Sequence, residues 1–374
     1  MGAMAGKSLV ALRCGSDRCA DLRDVLRDID SQMAWHQYQR IVIKPNFVSI
    51  TNPLAATHVE AVRTLLSHIR SRFSGEIWLI EGGAGHNRLQ GFINYGYDRL
   101  IAEFDVVLKE IGESETVSLE VLDKKLRPIK VKVDKRMTEG AFIISITPPK
   151  THDTVMFTAS LKNVLMGSLV IDNINFQRKG RRVLRKSKRL LRSLWDRCWP
   201  SLINNTPASI RKTKFFNDLD FFLLRNFNDG DSRMMMHQSF PVMNLNLFLL
   251  ARHIRPHLSV IDGFEVMAGD GPIDGEAVRL GFALAGKDCI SVDATAARIM
   301  GIDPMTVGYL NYSARGGLGN IEEKNIEITG NAKIASIGRP VKLHTTHPQQ
   351  SKWRTDKIDS LFHLLMESIN HQLS

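Results

Sequence analysis

Two lysines, a histidine and an asparagine crowd into residues 147–167, TPPKTHDTVMFTASLKNVLMG. Ammonium and amide donors satisfy the oxygens of a carboxylate or phosphate. Burial draws the pKa of lysine and histidine toward values at which either can pass a proton. Lys150, His152 and Lys162 are therefore the candidate catalytic residues, with Asn163 and Thr158 as candidate ligand-binding neighbours. The apolar run 139–146 just before them reads as a buried strand, which places Lys150 and His152 beyond its carboxyl end, where ligands bind in open α/β sheets. From Thr158 the pattern turns helical, with Leu161, Val164 and Leu165 on one side. With Thr158 as N-cap, a helix N-terminus and its free N–H groups would face an anion in the same crevice. A solvated Pro-Pro turn is the plainer alternative for the same local pattern.

The elements needed to hold such a crevice are present in order. Residues 8–13 suggest a strand, 21–35 a helix, and Arg40-Ile41-Val42-Ile43-Lys44-Pro45-Asn46 a buried parallel-type strand that Pro45 stops, so that Lys44 and Asn46 emerge at its end as further ligand-binding candidates. A helix over 57–73 and a strand over 76–80 lead into Glu81-Gly82-Gly83-Ala84-Gly85-His86. There Gly83 permits close backbone approach to a ligand, although the spacing is not that of a dinucleotide or P-loop fingerprint. A helix over 98–109 and short strands at 116–121 and 128–133 complete the alternation, which predicts an α/β fold with a mostly parallel sheet and flanking helices. Past His237, a ligand-binding candidate before a helix, come a helix over 241–254 and a strand over 258–261. The acidic, glycine-rich stretch DGFEVMAGDGPIDG at 262–275 follows, and it includes Gly271. Asp262, Asp270 and Asp293 could ligate a hard divalent cation or orient the lysines. A plain Gly/Asp turn is the alternative for 262–275, and simple helix-dipole stabilisation the alternative for Asp293. A strand at 278–285, a helix over 291–300, a glycine-rich loop at 313–320, a strand at 325–329, an irregular tail at 340–354 and a terminal helix over 355–372 complete the chain.

The 374 residues are 43% hydrophobic, enough for one large or two moderate domains. No run approaches the roughly 18 residues that would span a bilayer and no secretory signal opens the chain, so a cytoplasmic protein is expected. Cys14, Cys19, Cys198 and Cys289 are too scattered for a disulfide framework, and no iron-sulfur motif occurs. The net charge of +11 is local: residues 178–214 alone carry +12, so the remaining residues together carry −1. Within that segment, 181–199 sets Leu184, Leu191, Leu194, Trp195 and Cys198 along one face of a basic helix. It reads either as a lid on its own domain or as a docking helix for an anionic membrane or a protein partner, which would make the protein peripheral to a membrane. Nucleic acid is disfavoured, since an apolar stripe is wasted on phosphates. The domain reading is thus 1–167 as an N-terminal half, 168–236 as an insertion, 237–335 as the C-terminal half of the same domain, and 336–374 as tail and helix.

Six separated motifs, IVIKPNFVS, a Glu-Gly-Gly strand end, ITPPKTH with TASLKNVLMG, a lone His before a helix, LSVIDGFEVMAGDGPIDG, and DCISVDATAARIMG with a GLGN loop, resemble in their order the domain-of-unknown-function 362 family. The resemblance covers about residues 40–330 apart from the basic insertion. It implies a fold and a site, at Lys44, Pro45, Asn46, Lys150, His152, Thr158, Lys162, Asn163, Gly167, His237, Asp262, Gly263, Gly269, Gly271, Pro272, Gly275 and Asp293, and no particular reaction. Many family members carry a ferredoxin-like module that this chain lacks. At the level of fold the order is also similar to the N-terminal half of nickel-dependent lactate racemases. The function expected is an enzyme that transforms a small anionic metabolite by Lys/His acid-base chemistry, assisted or not by a divalent cation. The alternatives are an accessory or membrane-associated module, and a redox-linked protein without its clusters.

Overall fold

The computed structural model describes residues 6–82, 88–112, 114–170 and 232–373. Gly83, the basic segment 178–214 with the helix expected over 181–199, and Cys198 lie outside the described residues. The chain divides into one unit of Met1–Val170 with Met236–Ser374 and another of Ile171–Met235, so the two flanking halves build a single body. No helix of the described residues is long and apolar enough to cross a membrane.

The strands of the main sheet are β1 (Ser8–Cys14), β2 (Arg40–Lys44), β3 (Glu76–Glu81), β4 (Val106–Glu110), β7 (Phe142–Thr147), β10 (Leu258–Ala268), β11 (Glu276–Gly286) and β12 (Ile326–Gly330). Two short strands, β8 (Lys150–His152) and β9 (Met156–Thr158), extend it beside β10, while β5 (Thr116–Leu122) and β6 (Pro128–Asp134) form a separate hairpin. The order β12-β1-β11-β10-β7-β2-β3-β4 is parallel at every pairing except those of β11, giving a mostly parallel sheet flanked by helices. Alternation along the strands divides the burial. Ile41, Ile43, Ile144, Ile146, Leu258 and Val260 turn to one face, under α1 (Arg18–Asp28) and α2 (Val59–Arg70). Ser145 and Ser259 turn to the other, where they meet α5 (Ser160–Gly167). Beside α5 lie α6 (Phe240–Ala251), apolar all round except for the hydrogen-bonded Asn244 and Asn246, and α7 (Cys289–Ile299), which also packs on β10 and β11.

Adjacent β2 and β7 feed chains that leave in opposite directions. β2 passes through α2 to β3 on one side, and β7 passes through α5 to β10 on the other. Such a reversal opens a crevice outside the strand ends. Lys44 ends one of these strands and Thr147-Pro148-Pro149 ends the other.

Three local expectations need correction. The helix expected over 98–109 stops at Phe104, because Asp105 takes a left-handed conformation (φ 49°) and Val106–Glu110 pairs with β3 as a further parallel strand. The acidic stretch after 261 is no loop until Gly269: β10 runs on to Ala268 paired with β11, with one shift of register between Gly263 and Glu265, since Phe264 and Val266 are strand formers with a partner strand to fill. The stretch 313–320 begins as helix, the end of α8 (Gly308–Arg315). The terminal helix, α9 (Asp356–Leu373), packs Ile358 and Phe362 against Leu245 and Phe248 of α6 and Tyr312 of α8.

Candidate functional site

At the end of β2, Lys44 is 1% exposed and its Nζ lies 2.7 Å from Glu81 Oε1, at the end of neighbouring β3. The Lys44 ammonium also donates to Pro45 O at 2.8 Å, while Phe47 N and Gly82 N donate to the Glu81 carboxylate. Two adjacent parallel strands thus end in opposite charges that neutralise one another. The last residue of α5 makes room for this pair: a Cβ on Gly167 would stand 2.3 Å from Lys44 Cε. Asn163 of α5 donates through Nδ2 to Lys44 O and Ser145 Oγ, both at 3.1 Å, which turns its Oδ1 toward Asn46 Nδ2, also at 3.1 Å. The Asn46 amide is oriented in turn, and its Oδ1 faces the third strand end.

There Lys150 Nζ donates to Asn46 Oδ1 at 2.6 Å and to Pro148 O at 3.2 Å. Lys150 is 1% exposed, and burial together with the charge of Lys162 pulls its pKa down to about 7. Lys162, 8% exposed on the first turn of α5, is lowered to about 8 by burial, against the opposing field of Asp153. Its Nζ lies 2.7 Å from His152 Nε2. The other ring nitrogen of His152 is 2.8 Å from Asp153 Oδ1 and 3.0 Å from Thr154 N. These contacts serve two protonation states in turn. With Lys162 charged, it donates to Nε2 and the Nδ1–H donates to Asp153. With Lys162 neutral, Nε2–H donates to the amine and Nδ1 accepts from Thr154 N–H. Burial and Lys162 hold the His152 pKa at about 4, so at neutral pH the ring is uncharged and the first arrangement prevails. His237, half-buried, is close enough for its charge to act on His152 and Asp153.

Far segments fix this pair. Gln350 Nε2 donates to His152 O at 2.8 Å and Thr346 Oγ1 to Asp153 O at 2.7 Å, so the 340–354 tail clasps the Lys150–His152 strand. Thr158 pairs with Lys150 across β8 and β9 and does not cap α5. The cap is Asp293 from α7, whose two oxygens accept from Ser160 N and Leu161 N, each at 2.9 Å. The helix N-terminus expected to meet a ligand therefore already meets a carboxylate of its own chain. Fully buried, Asp293 has its pKa raised to about 7, burial outweighing those two donors.

The other acids stand apart. Asp262 is 2% exposed in mid-strand on the α1 side, where Arg18 Nε reaches its Oδ1 at 3.2 Å. Asp270 accepts from Thr345 N at 3.1 Å and anchors the tail. Among the described residues no three His, Cys, Asp or Glu side chains are grouped so as to hold a metal ion. Gly271 lies against the Lys150–His152 strand, where a Cβ would come within 2.2 Å of Thr151 O. Lys44, Asn163, Asn46 and Lys150 are thus joined by direct contacts, His152 and Lys162 form a second contact whose charge acts on Lys150, and Thr158 stands beside Lys150 with His237 within electrostatic reach. Glu81, Arg18, Asp153 and Gln350 escaped the sequence reading. Only Glu81 left a signal there, as an acid closing an apolar strand next to one closed by a lysine.

No curated protein matches the sequence. Among solved structures, the lactate racemase apoprotein from Thermoanaerobacterium thermosaccharolyticum aligns at 14% identity and a TM-score of 0.40, over 75% of this chain. The chain spans only 54% of the length of that protein. The sequence profile of the domain of unknown function DUF362 matches residues 41–298, from the strand that ends in Lys44 to the helix that carries Asp293. The chain therefore belongs to the DUF362 family.

Proposed function

We propose that this protein binds a small anionic metabolite at the crevice between β2 and β7 and moves a proton on it. One observation carries the reading: Lys150 and Lys162 are both buried at the strand ends, and among the described residues neither makes an ion pair with a carboxylate. Lys44, buried beside them, is matched to Glu81. A buried, unmatched ammonium is costly, and it is relieved either by losing its proton or by receiving an anion. Burial draws both ammoniums toward neutrality, Lys150 to about 7 and Lys162 to about 8, so that either can exchange a proton near neutral pH and, when charged, suits a carboxylate or phosphate. His152 and Asp153 give the Lys162 proton a second place to go.

The test is a thermal-shift series with sodium salts of small mono- and dicarboxylates and phosphate esters, on wild type, Lys150→Met and Lys162→Met. Acids that bind are then followed by proton NMR in D2O. Stabilisation of wild type alone, with exchange of a C–H next to the anionic group, is the expected result. Binding without exchange would make the protein a binding module, and equal stabilisation of all three proteins would remove the site.

A further inference from the structure

We infer that the ligand carries, besides its anionic group, a hydroxyl or ammonium donor that it presents to Asp262. This rests on the anion-binding reading above. Asp262 is the first β10 residue past the ladder with β7, which ends at the Ile261–Thr147 pair, and β10 rejoins this part of the sheet only at the Met267–Lys150 pair. Between those two points Pro148 and Pro149 run opposite the longer stretch 262–266, so the strands part where Asp262 stands.

Its two oxygens are treated differently. Arg18 Nε at 3.2 Å and Phe264 N at 3.4 Å both donate to Oδ1. Oδ2 accepts from nothing among the described residues, and it is not one of their sealed, unpartnered polar atoms. A side chain 98% withdrawn from solvent therefore keeps one acceptor unused where the strands part. Lys150 closes that parting at its far end, through its pairing with Met267, and the charge of Asp262 acts on its ammonium.

Arg18 is not available to close the gap. Its guanidinium lies 3.8 Å from Glu265 and 4.9 Å from the centroid of the Phe264 ring, whose ring Arg279 also approaches at 4.6 Å. Held in this way, Arg18 fixes Oδ1 and offsets the Asp262 charge. The open Oδ2 then calls for a hydrogen-bond donor and does not demand a cation, so a hydroxyl and an ammonium share the required chemistry. A site built around a buried acceptor discriminates strongly against a ligand that leaves it unpaired.

The experiment is calorimetric titration of wild type and Asp262→Asn with butanoate, the 2-, 3- and 4-hydroxybutanoates and the matching aminobutanoates. The Asn variant keeps an oxygen for Arg18 and presents a donor where the open acceptor was. Wild type should bind at least one substituted acid about tenfold or more tighter than butanoate, and in Asp262→Asn that ratio should collapse. The hydroxy and amino series show which donor is used. If wild type binds butanoate as tightly as every substituted acid, or if a folded Asp262→Asn keeps the ranking, the inference fails while anion binding stands. If no acid binds, butanoate included, the anion reading falls and the inference with it. Should Asp262→Asn not fold, the wild-type ranking decides alone.

Discussion

Replacing Asp293 by Asn tests how the helix bearing Lys162 is held. The carboxylate is fully buried, accepts from Ser160 N and Leu161 N, and pairs with no cation among the described residues. Two backbone donors and the helix dipole favour the charged form, while burial opposes it. Burial prevails, and the folded pKa rises to about 7 from an ordinary 3.8. Between those values the folded state holds a proton that the unfolded state has released, so the contribution of this residue to stability falls as pH rises from about 4 to 7 and is level above. At 1.36 kcal/mol per unit the full change is about 4 kcal/mol. For a folded unit of roughly 300 residues that is about 6 °C in Tm. Asn cannot ionise, and it keeps one acceptor for the helix. Thermal melts of both proteins from pH 4.5 to 8 isolate the residue, because every other titration cancels in the difference. The Asn variant should gain on wild type steadily up to pH 7 and then hold constant. A difference that is flat, or that moves in favour of wild type as pH rises, would show that the two N–H donors and the helix dipole outweigh burial.

Lys150→Met should abolish anion binding and, by leaving Asn46 Oδ1 and Pro148 O without their donor, cost about 1–3 kcal/mol of stability at neutral pH. It should also remove a rise in stability between about pH 7 and 10.5, the window in which the unfolded lysine is protonated and the buried one is not; urea melts at pH 7 and 10 check the sign. Gly167→Ala drives a methyl into the Lys44 side chain, so loss of anion binding with a Tm drop worth roughly 1–3 kcal/mol is expected, and an unchanged Tm would mean that Lys44 yields freely. Gln350→Ala leaves His152 O without its partner and should cost about 1 kcal/mol, with faster amide hydrogen exchange confined to residues 150–154. Unchanged exchange there would deny the tail its clasping role.

The sequence by itself determined where strands end and which residues stand there. Apolar runs at 41–43 and 142–146 can only be strands covered on both faces, and Pro45 and the Pro148-Pro149 pair forbid their continuation, so Lys44, Asn46 and Lys150 had to emerge at strand ends. Hydrophobic periodicity reports that a face is buried and says nothing of what buries it. The partners were therefore settled by the tertiary structure alone. Asn46 meets Lys150 across 104 positions because β2 and β7 are neighbours in the sheet, Asp293 caps a helix 133 positions earlier because α7 packs beside α5, and Arg18 reaches Asp262 across 244. Asp262 misled for the same reason. Flanked by glycines and acids it has the local pattern of a turn, and only the ladder with β11 keeps it in a strand. Lys150, Asp262 and Asp293 each have their pKa shifted by burial beneath the segments laid against them. Local sequence could name Lys44, Lys150 and Lys162 but not say that the first is neutralised by Glu81 while the other two make no ion pair with a carboxylate among the described residues.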